Sequence, residues 1–184
     1  MRIITGLARG RKLKAPPGND TRPTSDRIKE TIFNILQFHL EGRRVLDLFA
    51  GSGQLGLEAL SRGAKECVFV DMSGTVANVI RENIAHTGFG EQSRVCVSGA
   101  LQFIGSESSR YDVILLDPPY NTPLLPKTLA AIMEKDLLHQ GGFILAECAV
   151  KDMPPEPPAP YRLQKLYDCG SKRLALYTKT DNQG

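Results

Sequence analysis

Four consecutive residues combine groups that could work as one device. Asp117-Pro118-Pro119-Tyr120 follows directly on the apolar run Val113-Ile114-Leu115-Leu116. They therefore fall where a buried strand ends, which is where α/β sheets keep their sites. The two prolines fix φ and remove two backbone donors, so the chain leaves the strand rigidly, with carbonyls free to accept hydrogen bonds. A carboxylate, bare carbonyls and an aromatic face are thereby presented together. The set suits a planar base with an exocyclic amine: Asp117 and the Pro118 carbonyl accept its two N–H groups while Tyr120 stacks on the ring. The plainer alternative is a strand-to-loop exit, because Asp before Pro initiates turns.

A second constellation lies upstream. Asp47-Leu48-Phe49-Ala50-Gly51-Ser52-Gly53-Gln54-Leu55-Gly56 has glycines at 51, 53 and 56. This G-x-G-x-x-G spacing allows a tight turn and close backbone approach to a ligand at a helix N-terminus. Asp71, placed to end the next strand, could take the two hydroxyls of a ribose; it could also serve as an acid at a helix start. Asp47 separates two cofactor classes. A pyrophosphate would be repelled by a carboxylate in this pocket, whereas an ammonium group would be held by one. S-adenosylmethionine carries such an ammonium and no phosphate. A nicotinamide dehydrogenase would share the glycine loop but leave Asp47 and residues 117–120 without a role. Asp47 could alternatively cap the glycine turn.

These groups need a scaffold, and the remaining chain describes one. From Arg43 onward, β-branched apolar runs alternate with helical patterns, the mark of βαβ units and a parallel sheet. Strands are expected at Val45–Phe49, Cys67–Val70, Arg94–Val97, Tyr111–Leu116 and Phe143–Glu147. Helices are expected at Gln54–Arg62, about Ser73–His86, near Leu101–Ile104 and at Pro126–Met133. Five of the seven residues 154–160 are proline, a stiff connection and not an element. Two alternating runs, Tyr161–Tyr167 and Arg173–Thr178, then read as an antiparallel pair closing one edge. Before the sheet, Thr24 or Ser25 caps a helix starting with Asp26, whose stripe Ile28, Ile32, Ile35, Leu36, Leu40 runs to Gly42. Residues 1–20 carry turn chemistry and read as a short hairpin or extended arm.

Composition bounds what such a chain can be. With 184 residues, 41% hydrophobic and 23% charged, it is an ordinary globular chain with one well-buried core. No segment has the hydrophobic length of a signal peptide, so a cytoplasmic protein is expected. Cys67, Cys96, Cys148 and Cys169, like His39, His86 and His139, are scattered without ligand spacing, so no metal is expected. The first 29 residues hold eight basic side chains against two acidic ones, +6 of a total of +3, leaving the rest at −3. A basic arm on a mildly acidic body points to nucleic acid, although a solvated N-terminus accounts for it equally well. Arg9, Arg11, Lys12, Lys14, Arg22 and Arg27 are the candidate phosphate contacts. Nothing demands a dimer, and a monomer is expected.

The quoted segments, together with Thr21-Arg22-Pro23-Thr24-Ser25-Asp26-Arg27 and the opening Arg2-Ile3-Ile4-Thr5-Gly6, resemble the bacterial methyltransferases that modify N2 of a guanine in small-subunit (16S) ribosomal RNA. The resemblance runs over essentially the whole chain. It implies a Rossmann-like class I methyltransferase with a mostly parallel seven-stranded sheet and an antiparallel C-terminal hairpin. A basic arm over residues 1–24 would precede the methyltransferase domain, 25–184. It further implies S-adenosylmethionine as cofactor, with Asp47, Gly51 and Gly53 at its methionine end, Asp71 on its ribose and Thr24 closing over its carboxylate. Phe49, Met72, Gly99, Ala100 and Asp117 complete the expected cofactor contacts, and Asp117, Pro118, Pro119 and Tyr120 would hold the target base. The expected partner is small-subunit RNA within an assembling or assembled subunit. A DNA adenine-N6 or protein-glutamine methyltransferase is the alternative, because its target amine is similar. Two positions depart from the family pattern. Gly99 stands where an acid usually bonds the adenine amine, which leaves that role to backbone groups. Cys169-Gly170-Ser171-Lys172 replaces the usual Tyr-Gly-x-Thr.

Overall fold

The computed structural model describes residues 1–17, 26–120 and 122–180. Seven strands form one sheet: β1 (Arg44–Asp47), β2 (Glu66–Asp71), β3 (Ser93–Val97), β4 (Tyr111–Leu116), β5 (Leu138–Ala149), β6 (Tyr161–Cys169) and β7 (Lys172–Lys179). Their spatial order is β3-β2-β1-β4-β5-β7-β6. The first five run parallel, and β7 enters antiparallel between β5 and the edge strand β6. The expected C-terminal pair is present. The order reverses between β1 and β4, so the crevice beyond their carboxyl ends is where such a sheet takes ligands.

Five helices cover the sheet: α1 (Asp26–Ile35), α2 (Gln54–Ser61), α3 (Gly74–Thr87), α4 (Ala100–Ser106) and α5 (Leu124–Glu134). Alternation along the strands assigns the two faces. On β4, Val113 and Leu115 join an apolar cluster with residues of α1, α2 and α3, while Ile114 and Leu116 join a second with residues of α4 and α5. Because both faces are covered, the strands read as continuous apolar runs.

Of the boundaries that differ from expectation, three have a physical reason in the structure. Helix α1 stops at Ile35, not Gly42. Leu36 and Leu40 are buried as their spacing implied, but on successive turns, with His39 N–H donating to the Leu36 carbonyl at 2.8 Å. A four-residue spacing is met as well by turns as by a helix. Strand β5 begins at Leu138, five residues early, because the register with β4 shifts between Tyr111 and Val113 and a bulge absorbs Gly141 and Gly142; a Gly pair marks bulges as readily as strand ends. Helix α5 starts two residues ahead of Pro126, which sits in the first turn where its missing N–H is tolerated. The proposed caps Thr24 and Ser25 lie outside the described residues.

Residues 1–13 form a hairpin, with Arg2 bridged to Lys12 and Ile3 N–H donating to the Arg11 carbonyl at 3.0 Å. It is pinned to the body. The fully buried Glu58 of α2 accepts the N–H groups of Ile4 and Thr5 at 2.7 and 3.0 Å. Ser61 accepts from Leu7 N–H through its carbonyl at 2.8 Å and from Ala8 N–H through Oγ at 3.0 Å. Gly6, at φ +84°, passes so close to Ser61 that a Cβ would fall 1.7 Å from its carbonyl oxygen. From α1, the buried Lys29 donates to the Arg2 carbonyl at 2.6 Å.

Candidate active site

The glycine loop is built around two carboxylates. At the end of β1, the buried Asp47 accepts the Gly56 N–H on Oδ2 at 2.9 Å, tying the strand end to the first turn of α2. Its role as a cap on the glycine turn is therefore present in the structure. At the end of β2, Asp71 accepts Gly51 N–H on Oδ2 at 3.1 Å and Ser73 N–H on Oδ1 at 2.9 Å. A carboxylate has about four acceptor positions, so each acid keeps capacity for a ligand. Gly51 and Gly53 adopt φ of +54° and +77°, which side chains oppose. Gly56 serves packing: a Cβ there would lie 2.3 Å from the Phe69 ring.

Burial is the chief reason that the Asp47 carboxyl is pushed up to about 7; the Gly56 N–H opposes it, and the charges of Asp117 and Asp71 add to it. The charges of Asp71 and Asp117 thus both reach Asp47. They come from β1, β2 and the end of β4, neighbouring strands in the sheet. Such a cluster suits a cationic ligand and disfavours a pyrophosphate.

The remaining expected cofactor contacts fall on the same side. Phe49 is half-buried in the glycine loop, and Ala50 N–H donates to the Val70 carbonyl at 3.0 Å, joining that loop to β2. Ser98 N–H donates to the Asp71 carbonyl at 2.9 Å, bringing the β3 loop alongside. Gly99 caps α4 and Ala100 begins it, with open space where a Gly99 side chain would stand. Met72, Val97 and Leu101 leave apolar surface uncovered beside them, Met72 at 81% exposure. Thr24 lies outside the described residues.

Beyond β4, Pro118 is buried while Pro119 and Tyr120 are exposed. Tyr120 is 39% exposed and its hydroxyl donates to Glu147 Oε1. Burial and the Glu147 carboxylate push that hydroxyl well above the usual phenol range, so it stays a donor. Pro118, Pro119 and Tyr120 line a cavity of about 310 Å³, closed on its other side by Glu147, Cys148 and residues 152–155. Glu147 is a site residue that the sequence reading passed over. It carries the same signal as Asp117, since it follows the apolar run Phe143–Ala146 as Asp117 follows its own.

The candidate RNA contacts divide. Arg9, Arg11, Lys12, Lys14 and Arg27 are exposed, the first four on or just after the hairpin. Arg11 donates to the His86 carbonyl and Lys14 pairs with Glu82, both on α3. Arg22 lies outside the described residues. Lys29, which swelled the charge count of the arm, is fully buried and out of a partner's reach.

Comparison with known proteins places this geometry. The chain is 38% identical over 180 residues to the ribosomal RNA small subunit methyltransferase D of Haemophilus influenzae, covering 96% of this chain and 93% of that one. It is 35% identical over 179 residues to the protein of that name in Escherichia coli strain K12, covering 97% and 90%. The structure of the yhhF protein of Escherichia coli superposes with a TM-score of 0.87 at 34% identity, over 99% of both chains. A shared fold extends to an RNA methyltransferase of Salinibacter ruber in complex with S-adenosylhomocysteine, at a TM-score of 0.64, 12% identity, and coverage of 88% and 95%. Residues 1–178 match the family model described as Conserved hypothetical protein 95, and the chain belongs to that family, which takes in the ribosomal RNA small subunit methyltransferases D.

Proposed function

We propose that the protein transfers a methyl group from S-adenosylmethionine to the exocyclic N2 of a guanine in small-subunit ribosomal RNA. The observation that carries this reading is the placement of Asp117 to Tyr120 between the three-acid crevice and the cavity, in a chain whose relatives are named for methylation of that RNA.

The cofactor supplies a methyl group bonded to a sulfonium, an electrophile that needs no metal. Asp47 would hold its ammonium and Asp71 its ribose, and the Met72, Val97 and Leu101 surface would cover the adenine. The repulsion of Asp47 by the other two acids supports this fit, because a cation relieves it.

The guanine amine is a weak nucleophile, its lone pair delocalised into the ring. Hydrogen bonds from its two N–H groups to Asp117 and the Pro118 carbonyl favour pyramidalisation and aim the lone pair. With the cofactor bound, the amine so aimed would take the methyl group in line as the C–S electron pair passes to sulfur, and Asp117 would guide the displaced N2 proton toward solvent. The base must first leave its stack, and Tyr120 replaces part of that stacking, worth about 1–3 kcal/mol on comparable aromatic platforms.

The test is transfer of tritiated methyl to small subunits from a strain lacking the gene, with bare RNA, duplex DNA and protein alongside, followed by nucleoside analysis. N2-methylguanosine from subunits is expected. Label confined to DNA adenine or to protein would overturn the RNA assignment.

A further inference from the structure

Glu147 is 2% exposed, yet it borders the cavity beside Tyr120. Its Oε1 accepts from the Tyr120 hydroxyl and from Lys172 Nζ, while the buried Oε2 has no partner among the described residues. A buried carboxylate oxygen left unpaired is costly and calls for an explanation. Lys172 stands at the start of β7, in the turn that departs from the family pattern, with Nζ 5.4 Å from the centre of the Tyr120 ring. An acceptor with spare capacity and a cation with spare donors thus flank the aromatic platform. Asp152, the other acid lining the cavity, is exposed.

The edge of a guanine next to its N2 amine presents an N1–H donor and then an O6 acceptor. Adenine presents the reverse, an N1 acceptor and an N6 donor. We propose that Glu147 and Lys172 select guanine, Glu147 accepting N1–H and Lys172 donating to O6, with Asp117 and Pro118 on the amine. This rests on the guanine-N2 reading above. The carboxylate keeps two of its four or so acceptor positions for the base, and the ammonium, with three donors, bonds Glu147 and O6 together. The terminal carboxyl torsion of Glu is broad, so Oε2 can tilt toward the base while Oε1 keeps its bonds to Tyr120 and Lys172. A cavity of about 310 Å³ falls at the lower end of the roughly 300–1,000 Å³ usual for small-ligand sites, enough for a single nucleoside and not for a stack. The pair reads identity, while Asp117 presents the reacting atom.

A purely structural role for Glu147, anchoring Tyr120, makes different predictions. The experiment compares subunits reconstituted with guanine or with 2-aminopurine at the methylated position. The analogue keeps the amine but lacks both N1–H and O6. For the wild-type protein, kcat/KM is expected to favour guanine by roughly ten- to a hundredfold, the scale of one good base contact. Glu147→Gln places a donor against N1–H; it should lose most activity on guanine and reduce the preference to near unity, with S-adenosylmethionine affinity unchanged. Tyr120→Phe removes the anchoring hydroxyl and keeps the acid, so its preference for guanine should survive whatever its turnover. Should Glu147→Gln fail to fold, Lys172→Met tests the pair through O6 and is expected to flatten the preference likewise. An undiminished preference in the folded Glu147 or Lys172 variant, or equal loss of preference in Tyr120→Phe, overturns the proposal. Failure of the underlying reading looks different: the wild-type protein would yield no N2-methylguanosine at all, and both would fall together.

Discussion

Asp47 Oδ2 accepts the Gly56 N–H at 2.9 Å from within a buried crevice it shares with two other acids. Burial holds its carboxyl at about 7, against 3.8 for an ordinary one. The folded chain therefore retains this proton where the unfolded chain has lost it, and stability conferred by protonation declines as pH rises from about 4 through 7. Unfolding of the ligand-free protein should show that decline, and Asp47→Asn should flatten it. A bound ammonium favours the ionised acid, so cofactor affinity measured by calorimetry should rise with pH up to about 7 and then level. Affinity independent of pH across this range would separate Asp47 from the cofactor.

Asp117→Ala should reduce methyl transfer by at least about a hundredfold, the scale on which removing one preorganised hydrogen-bonding group acts, while cofactor affinity, with Asp47 and Asp71 still in place, should fall far less. Single-turnover kinetics and calorimetry on one preparation check both halves. A variant with near wild-type turnover would refute the assignment of Asp117 to the amine.

Gly56→Ala has a packing penalty that outweighs the roughly 0.5–1 kcal/mol by which Ala is favoured over Gly inside a helix. Its Cβ would meet the Phe69 ring at 2.3 Å and Cys67 Sγ at 2.6 Å, both fully buried. The expected cost is about 1–3 kcal/mol. Thermal unfolding should fall by roughly 2–4 °C for each kcal/mol.

Glu58→Ala removes the acceptor for the Ile4 and Thr5 N–H groups and the partner of Arg62, whose Nε lies at 2.8 Å. Stability should drop by about 2–4 kcal/mol. Limited proteolysis should then cut within residues 1–14, and should spare them in the wild-type protein.

Reversing charge at Arg9 and Lys12, both exposed on the hairpin, should weaken RNA binding and lower the slope of log affinity against log salt by about 1 for each phosphate no longer neutralised. Filter binding across a salt series checks this. Unchanged slopes would return the hairpin to a purely structural role.

The centre of the sheet was legible because β1, β2 and β4 are buried on both faces and so read as apolar runs ended by an acid, whereas the edge strand β3 holds no buried residue. The same rule marks Asp47, Asp71 and Asp117, since an acid directly after such a run has few places to go but the ligand crevice. What the chain order conceals is long-range pairing. Glu58 looks like an ordinary acid on a helix, and only the fold brings it under the hairpin 53 residues away. Lys29 counts as surface charge until α1 turns it inward. Lys172 lies 25 residues from Glu147, on a strand whose pairing with β5 no local pattern names. Leu36 and Leu40 show the converse, with burial read correctly from spacing and backbone conformation not.

Helix α2 begins in the glycine loop and ends where Glu58 and Ser61 grip the hairpin, and all eight of its residues are buried. It spans about 12 Å. The glycine loop and the basic hairpin are therefore joined by one rod encased along its whole length, with no exposed side toward which it could tilt. Under the proposed function the two sites share this one buried helix, so loosening the hairpin end would disturb the glycine loop as well.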